Sequence, residues 1–168
     1  MQTLLEKASV PEKEKDSSPL FRVCFVCTGN TCRSPMAEAL FNALEKEFPH
    51  KMPMEAFSAG LYAAEGEPIS KKALLALTGA NIPEVHPYRL HLSHRITEAE
   101  AATYDRLIGI SHAHAAELFL RFPGLAQRIT SLPEDVPDPF GGDLATYENC
   151  LNQLKKQIAL LFFPEALQ

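Results

Sequence analysis

Residues 21–48, FRVCFVCTGNTCRSPMAEALFNALEKEF, limit what this chain can fold into more than any other stretch. Residues 21–26 are β-branched and aromatic enough to predict a strand. The strand is expected to stop at Cys27, where turn-forming Gly29 and Asn30 begin. Helix signals follow: Ser34 can cap, Pro35 suits the first turn, and Glu38 lies toward the positive end of the dipole. Ala37, Phe41, Leu44 and Phe48 recur at helical spacing, which predicts one buried face.

A strand, a short loop and a helix in succession aim backbone N–H groups at whatever sits above the loop. The helix dipole adds positive potential there, making an anion site suited to phosphate. Cys27 opens the loop and Arg33 closes it, in the pattern Cys-x5-Arg-Ser. Cysteines at helix N-termini or beside cations ionise more readily than free thiols. Cys27 is therefore read as a nucleophile rather than as a buried strand-end thiol. Arg33 can grip two phosphate oxygens in a bidentate fork. The cradle is expected to run through Thr28, Gly29, Asn30, Thr31, Cys32, Arg33 and Ser34. Ser34 can donate to the thiolate and cap the helix at once.

Beyond this unit, residues 55–59 predict a second strand ending in Ser-Ala-Gly, residues 61–68 a loop, and residues 70–77 a helix stopped by Gly79. Residues 83–93 read as irregular, 97–102 as a short helix, and 106–110 as a buried strand. Ser111 is expected to cap a helix burying Ala115, Leu118, Phe119 and Phe122, and residues 128–132 predict the last strand. A Pro- and Gly-rich loop over 135–142 leads to a closing helix from Asp143. Its apolar positions are Leu144, Tyr147, Leu151, Leu154, Ile158 and Leu161. Alternating strands and helices predict one α/β domain: a central, parallel, four-stranded twisted sheet with helices on both faces, a flavodoxin-like three-layer sandwich. In such sheets ligands bind outside the carboxyl ends of the strands, where Cys27 falls.

Transfer of a phosphoryl group to a thiolate leaves a departing atom that needs a proton, so a carboxylic acid is expected on a loop over the pocket. Asp138 fits by position, although Asp-Pro is also ordinary turn chemistry, and Asp135 competes with it. Asp143 reads as a helix cap. Cys24-x2-Cys27 is a poor metal pair, because residues three apart on a strand face opposite ways. His112 and His114, two apart on a helix, diverge as well. No metal and no cofactor are expected. Cys32, inside the loop, can trap oxidised Cys27 as a disulfide. Cys150 reads as core.

The residues quoted above resemble the low-molecular-weight protein tyrosine phosphatase family. The stretch VCTGNTCRSPMAEAL is close to the family signature throughout. The resemblance continues at Ser58-Ala59-Gly60 and at Asp138-Pro139-Phe140-Gly141-Gly142, and spans roughly residues 21–163. Thr31 together with DPFGG is similar to the protein-arginine phosphatase branch. The resemblance implies hydrolysis of phosphorylated protein side chains through a phosphocysteine intermediate, with Asp138 as general acid and Ser34 assisting. It also implies that Asn30 braces the loop, with Ser58 and His91 as partners. Where the tyrosine phosphatases carry a bulkier apolar residue and a second aromatic, this chain has Thr31 and Gly141. That exchange suits a guanidinium better than a phenol, while Tyr62 and Phe140 can still wall a phenyl ring. Phosphoarginine on proteins ranks ahead of phosphotyrosine. A thioredoxin-linked arsenate reductase, lacking here the downstream cysteines of its relay, and a non-catalytic phosphate-binding or redox-sensing module rank lower.

Composition narrows the partners. A length of 168 residues fits one domain with a proper core, and a net charge of −5 argues against a general nucleic-acid binder. The resemblance implies phosphorylated proteins as partners, with a protein-arginine kinase as antagonist, and composition predicts neither nucleic acid nor membrane. The apolar run over 158–163 is too short to span a bilayer, and no basic-then-apolar leader opens the chain. Four cysteines, three of them clustered, are too few for a secreted disulfide scaffold and predict a reducing, cytoplasmic setting. Residues 1–20 mix Lys, Glu, Ser and Pro and predict a solvated tail before the domain at 21–163, with 164–168 as its C-terminal end.

Overall fold

A computed structural model describes residues 19–168, so the predicted tail lies outside the described residues apart from its last two positions. Four strands form one sheet: β1 (Phe21–Cys27), β2 (Met54–Gly60), β3 (Arg106–Gly109) and β4 (Ile129–Ser131). All three pairings are parallel and the order is β2-β1-β3-β4. Five helices connect and cover them: α1 (Arg33–Glu47), α2 (Lys71–Gly79), α3 (Glu98–Ala101), α4 (His112–Arg121) and α5 (Leu144–Phe162). The order reverses direction between β1 and β3. The crevice above their carboxyl ends is therefore the place where such a sheet receives a ligand.

Alternation along β1 assigns its side chains to two separate cores. Val23, Phe25 and Cys27 join α1, α2 and α5 on one face, while Cys24 and Val26 join α3 and α4 on the other. On the first face Phe41 is fully buried and packs against Phe25 and Phe163, with ring centroids 5.9 and 5.1 Å away. The second face is built from Leu107, Leu118, Ile129 and Phe122. Gly109 lets α4 start close against β3: a Cβ there would fall 2.5 Å from the Ala115 nitrogen and 2.8 Å from the Ser111 carbonyl oxygen.

Edge strand β2 is tied to its surroundings by its outward backbone groups. The Ala56 N–H donates to Asn42 Oδ1 (2.8 Å) and its carbonyl accepts from Asn42 Nδ2 (3.1 Å). The Met54 N–H donates to Glu45 Oε1 (3.3 Å), and the Gly60 N–H to the His94 carbonyl (3.0 Å).

Several local expectations need correction. Ser34 is not a cap: Cys32 occupies the N-cap position of α1 without a side-chain bond, because Ser34 turns inward toward Cys27. Glu38 lies beyond the first turn of α1 and serves β2 instead. Gly79 remains helical and Ala80 is the C-cap of α2. Phe119, Leu144 and Leu161 are exposed, since each sits at the margin of its helix stripe. His114 and Cys150 take buried positions on those helices. Residues 88–90, within the segment read as irregular, form a 3-10 turn. Asp143 does cap α5, accepting from the Thr146 N–H at 2.9 Å.

Truncating Phe41 removes the ring on which the α1–α5 packing converges. Phe41→Ala is expected to lower stability by about 3–5 kcal/mol in urea unfolding, with the larger loss if the cavity stays open.

Candidate active site

Cys27, almost fully buried, ends β1, and the chain then turns through a loop into α1. Asn30 sits in the left-handed region at φ 55°, a conformation Asn tolerates better than most residues. That turn brings its N–H to 3.3 Å from Cys27 Sγ, while Ser34 Oγ lies 2.9 Å from the same sulfur. Gly60, the last residue of Ser-Ala-Gly, lets the loop lie against β2. A Cβ there would meet the Thr28 carbonyl oxygen at 2.8 Å and Asn30 Cβ at 3.1 Å.

Asn30 is fully buried, and its polar atoms are all engaged. Nδ2 donates to Ser34 Oγ (2.9 Å) and to Ser58 Oγ (3.1 Å), and Oδ1 accepts from the His94 N–H (3.1 Å). Its carbonyl accepts from His91 Nε2 at 2.7 Å. The direction of donation then follows. With both amide hydrogens spent on the serines, Ser34 turns its own proton to Cys27 Sγ and Ser58 donates to Glu38 Oε2 (3.3 Å). Ser58 and His91 thus support the loop from behind rather than lining the pocket.

Arg33 is buried except for the end facing the pocket. Its Nη1 donates to the Val136 carbonyl (3.1 Å), and its Nη2 lies 3.7 Å from Asp138 Oδ2. Val136 and Leu132, both buried, anchor the loop after β4. Asp138 projects from this loop with its side chain 54% exposed, and its Oδ1 accepts from the Phe140 N–H (3.1 Å). Residues 27–33, Asp138 and Phe140 enclose a pocket of about 230 Å³. Asp135 is not among them: its carboxylate accepts from the His112 N–H (2.8 Å) and from His112 Nδ1 (2.6 Å), bonds that hold it below the usual carboxylate range.

The selectivity candidates divide. Thr31 lines the pocket, and the only partner of its hydroxyl among the described residues is Cys32 Sγ, 3.8 Å away. Phe140 stands exposed at the mouth. Gly141, at φ 81°, has open space around it and lies outside the lining. Tyr62 also lies outside the lining. Its N–H donates to the Thr28 carbonyl (2.9 Å), its hydroxyl bonds Glu117, and the Arg121 guanidinium sits 4.6 Å from its ring. Cys32 is a buried free thiol, with Sγ 3.5 Å from the Tyr147 hydroxyl. Burial pushes the Cys150 thiol up to about 12, and pushes Cys24, on the opposite face of the sheet, up as well. Among the described residues no cluster of three His, Cys, Asp or Glu side chains has the spacing to hold a metal ion.

The sequence pattern of the family described as "Low molecular weight phosphotyrosine protein phosphatase" matches residues 22–168. The chain belongs to this family. It is 33% identical over 150 residues to the protein-arginine-phosphatase of Bacillus subtilis, covering 81% of this chain and 95% of that one. It is equally 33% identical, over 139 residues, to the low molecular weight protein-tyrosine-phosphatase PtpB of Staphylococcus epidermidis, covering 79% and 91%. The low molecular weight protein tyrosine phosphatase from T. tengcongensis superposes with a TM-score of 0.76 at 34% identity, covering 84% of this chain and 97% of that one. YwlE arginine phosphatase, in a mutant with a phosphorylated active site serine, gives 0.76 at 29% identity, covering 84% and 93%.

Several residues of this phosphatase site were not foreseen. His94 acts through its backbone N–H, which no side-chain pattern reveals, and Val136 through its carbonyl. Glu38 and His86 extend the network behind Ser58: His86 bridges Glu38 (3.4 Å) and Glu55 (2.6 Å). His114 reaches Thr28, with Nε2 3.0 Å from Oγ1. Glu38 reads from the sequence only as an acid near the positive end of the α1 dipole, with no hint of this network. Its histidine partner, nearly fifty residues later, gave none.

The bond to Glu38, joined by the one to Glu55, outweighs burial and lifts His86 from 6.5 to about 9. A group whose folded value lies above its unfolded one stabilises fully below the unfolded value, and the gain is lost as pH rises through the folded value. The stability difference between wild type and His86→Gln is therefore expected to be largest below about pH 6.5 and to vanish above about pH 9. Urea unfolding across pH 5–10 checks this, and a flat difference rules the charged bridge out.

Proposed function

We propose that this chain hydrolyses phosphorylated protein side chains through a phosphocysteine at Cys27, with protein phosphoarginine as the preferred substrate. One arrangement carries the reading: Cys27, Arg33 and Asp138 line one pocket, with the Asn30 N–H directed at the Cys27 sulfur and the half-exposed Asp138 carboxylate 3.7 Å from Arg33. The Cys27 thiolate attacks phosphorus, forming the S–P bond as the bond to the leaving atom breaks. Arg33 and the loop amides hold the equatorial oxygens, and Asp138 gives its proton to the departing nitrogen or oxygen. Water then attacks the phosphocysteine, losing its proton to the Asp138 carboxylate, and phosphate departs as the thiolate re-forms. Ser34, donating to Cys27 Sγ, stabilises the sulfur as a leaving group in that second step. The cycle draws every group it needs from the chain and calls for no cofactor. An opposing protein-arginine kinase follows from the same reading.

Phosphoarginine ranks first because Thr31 presents a hydroxyl at the pocket wall with only a thiol as partner among the described residues, and Gly141, beside Phe140, places no second aromatic ring there. Relatives named protein-arginine-phosphatase in Bacillus subtilis and Geobacillus stearothermophilus support it. Phosphotyrosine is the second reading, favoured by the exposed Phe140 ring at the mouth and by the PtpB relative.

Cys27→Ser and Arg33→Ala are each expected to abolish turnover, while Asp138→Asn slows the first step most for poor leaving groups. Substantial turnover in Cys27→Ser would sink the mechanism, and greater damage from Asp135→Asn would reassign the acid. Thr31→Ile removes a hydrogen-bonding hydroxyl at nearly constant shape. An unpaired polar group in a desolvated pocket costs about 1–3 kcal/mol, so the phosphoarginine-to-phosphotyrosine ratio of kcat/KM is expected to fall roughly ten- to hundredfold. An unchanged ratio, or a wild type that strongly prefers phosphotyrosine, overturns the arginine assignment and leaves the phosphocysteine cycle standing.

A further inference from the structure

The first turn of α4 touches both loops of the site. His112 holds Asp135, at the start of the loop that carries Asp138, and His114 holds Thr28, the residue after Cys27. The bonds around the His114 ring determine where its proton sits. The backbone N–H of Ser111 donates to Nδ1 at 3.2 Å, and a backbone N–H can only donate. Ser111 Oγ, which accepts from the His114 N–H (3.3 Å), lies 2.9 Å from Nδ1. Nδ1 is therefore an acceptor. A neutral ring then carries its hydrogen on Nε2 and donates it to Thr28 Oγ1, 3.0 Å away.

We propose that His114 is a positioning residue for the phosphate loop: by donating from Nε2 to Thr28 Oγ1, it leaves the Thr28 hydroxyl hydrogen to point at the anion in the pocket. The inference rests on the phosphatase reading above. Thr28 lines the pocket, and its Oγ1 has no other partner among the described residues. A free threonine hydroxyl can donate or accept in several directions. One that already accepts from a fixed imidazole has its hydrogen swung away from that ring, toward the pocket. The imidazole is itself fixed, because Gly109 seats the start of α4 against β3, which pairs with β1 beside Cys27. Thr28 thus adds a side-chain donor to the loop amides and Arg33 without adding charge.

The neutral ring persists over the working pH range. Burial, with the Arg33 guanidinium adding to it, holds His114 down to about 4. Arg33 faces the ring from α1, Glu117 from its own helix, and Asp135 and Asp138 from the loop after β4. The three carboxylates push upward and are outweighed.

Two measurements on the full chain test this. In long-range 1H–15N spectra of the imidazoles between pH 6 and 8, His114 is expected to show a protonated Nε2 and an unprotonated Nδ1. A proton on Nδ1 overturns the proposal. The second measurement is competitive inhibition by inorganic phosphate in Thr28→Val, His114→Phe and the double variant. Loss of a hydrogen bond to a charged group predicts about a ten- to hundredfold weaker inhibition in Thr28→Val. His114→Phe, which keeps the hydroxyl but frees its direction, is expected to show a smaller loss in the same sense. The double variant is expected to lose no more than Thr28→Val alone, since without the Thr28 hydroxyl His114 has no donor left to orient. His114→Gln, which keeps an N–H near the Nε2 position, is expected to recover most of the affinity. Additive losses, or a His114→Phe loss that persists in full in the Thr28→Val background, overturn the proposal and leave His114 as a helix cap. If the wild type hydrolyses no phosphorylated peptide, the phosphatase reading fails. Phosphate binding, followed directly, still reports on His114.

Discussion

Everything at the site hangs on one buried amide. Asn30 sits in a backbone conformation that directs its N–H at a sulfur, and its side chain and carbonyl are saturated by Ser34, Ser58, His91 and His94. Those partners come from α1, β2 and the segment before α3, so three parts of the chain must be in place before the amide is satisfied. A buried polar group left without partners costs about 1–3 kcal/mol, which penalises any other shape of the loop. The cradle is consequently set before an anion arrives, the condition under which fixed dipoles contribute most to catalysis.

The same dependence explains why two histidines near the site have opposite fates. His86 lies between two carboxylates and is held positive, whereas His114 is buried within reach of Arg33 and is held neutral. One acts as a cation that fixes Glu38 and, through it, the direction of the Ser58 hydroxyl. The other acts as a neutral donor. Within a chain of net charge −5, Arg33 is the one cation of the pocket lining among the described residues.

Much of this was legible in the sequence where the signal was local. The β1–loop–α1 unit, the parallel sheet and the closing helix follow from period, turn residues and the Asp143 cap, all contained within windows of ten to thirty residues. Place in the loop and the family resemblance favour Asp138 over Asp135; the bonds of Asp135 to His112 are tertiary and have no signal in the sequence. Ser34 reads both as a donor to the thiolate and as a cap. It lies against Cys27 as expected, but the helix begins earlier, with Cys32 at its N-cap, and the further pull of Asn30 is tertiary. Phe119, Leu144 and Leu161 illustrate a related failure: spacing locates a stripe but not its width, and residues at its margin face water. The contributions of His94 and Val136 are made by backbone atoms, which residue identity does not encode.

The bonds along β2 have a further effect on the life of the chain outside its active site. A seven-residue strand at the margin of a sheet normally presents a row of free N–H and C=O groups, onto which another polypeptide can add. Here Glu45, Asn42 and His94 interrupt that row at Met54, Ala56 and Gly60. The opposite margin, β4, is only three residues long. Neither margin of the sheet therefore offers a long uninterrupted row of free groups onto which another strand could add.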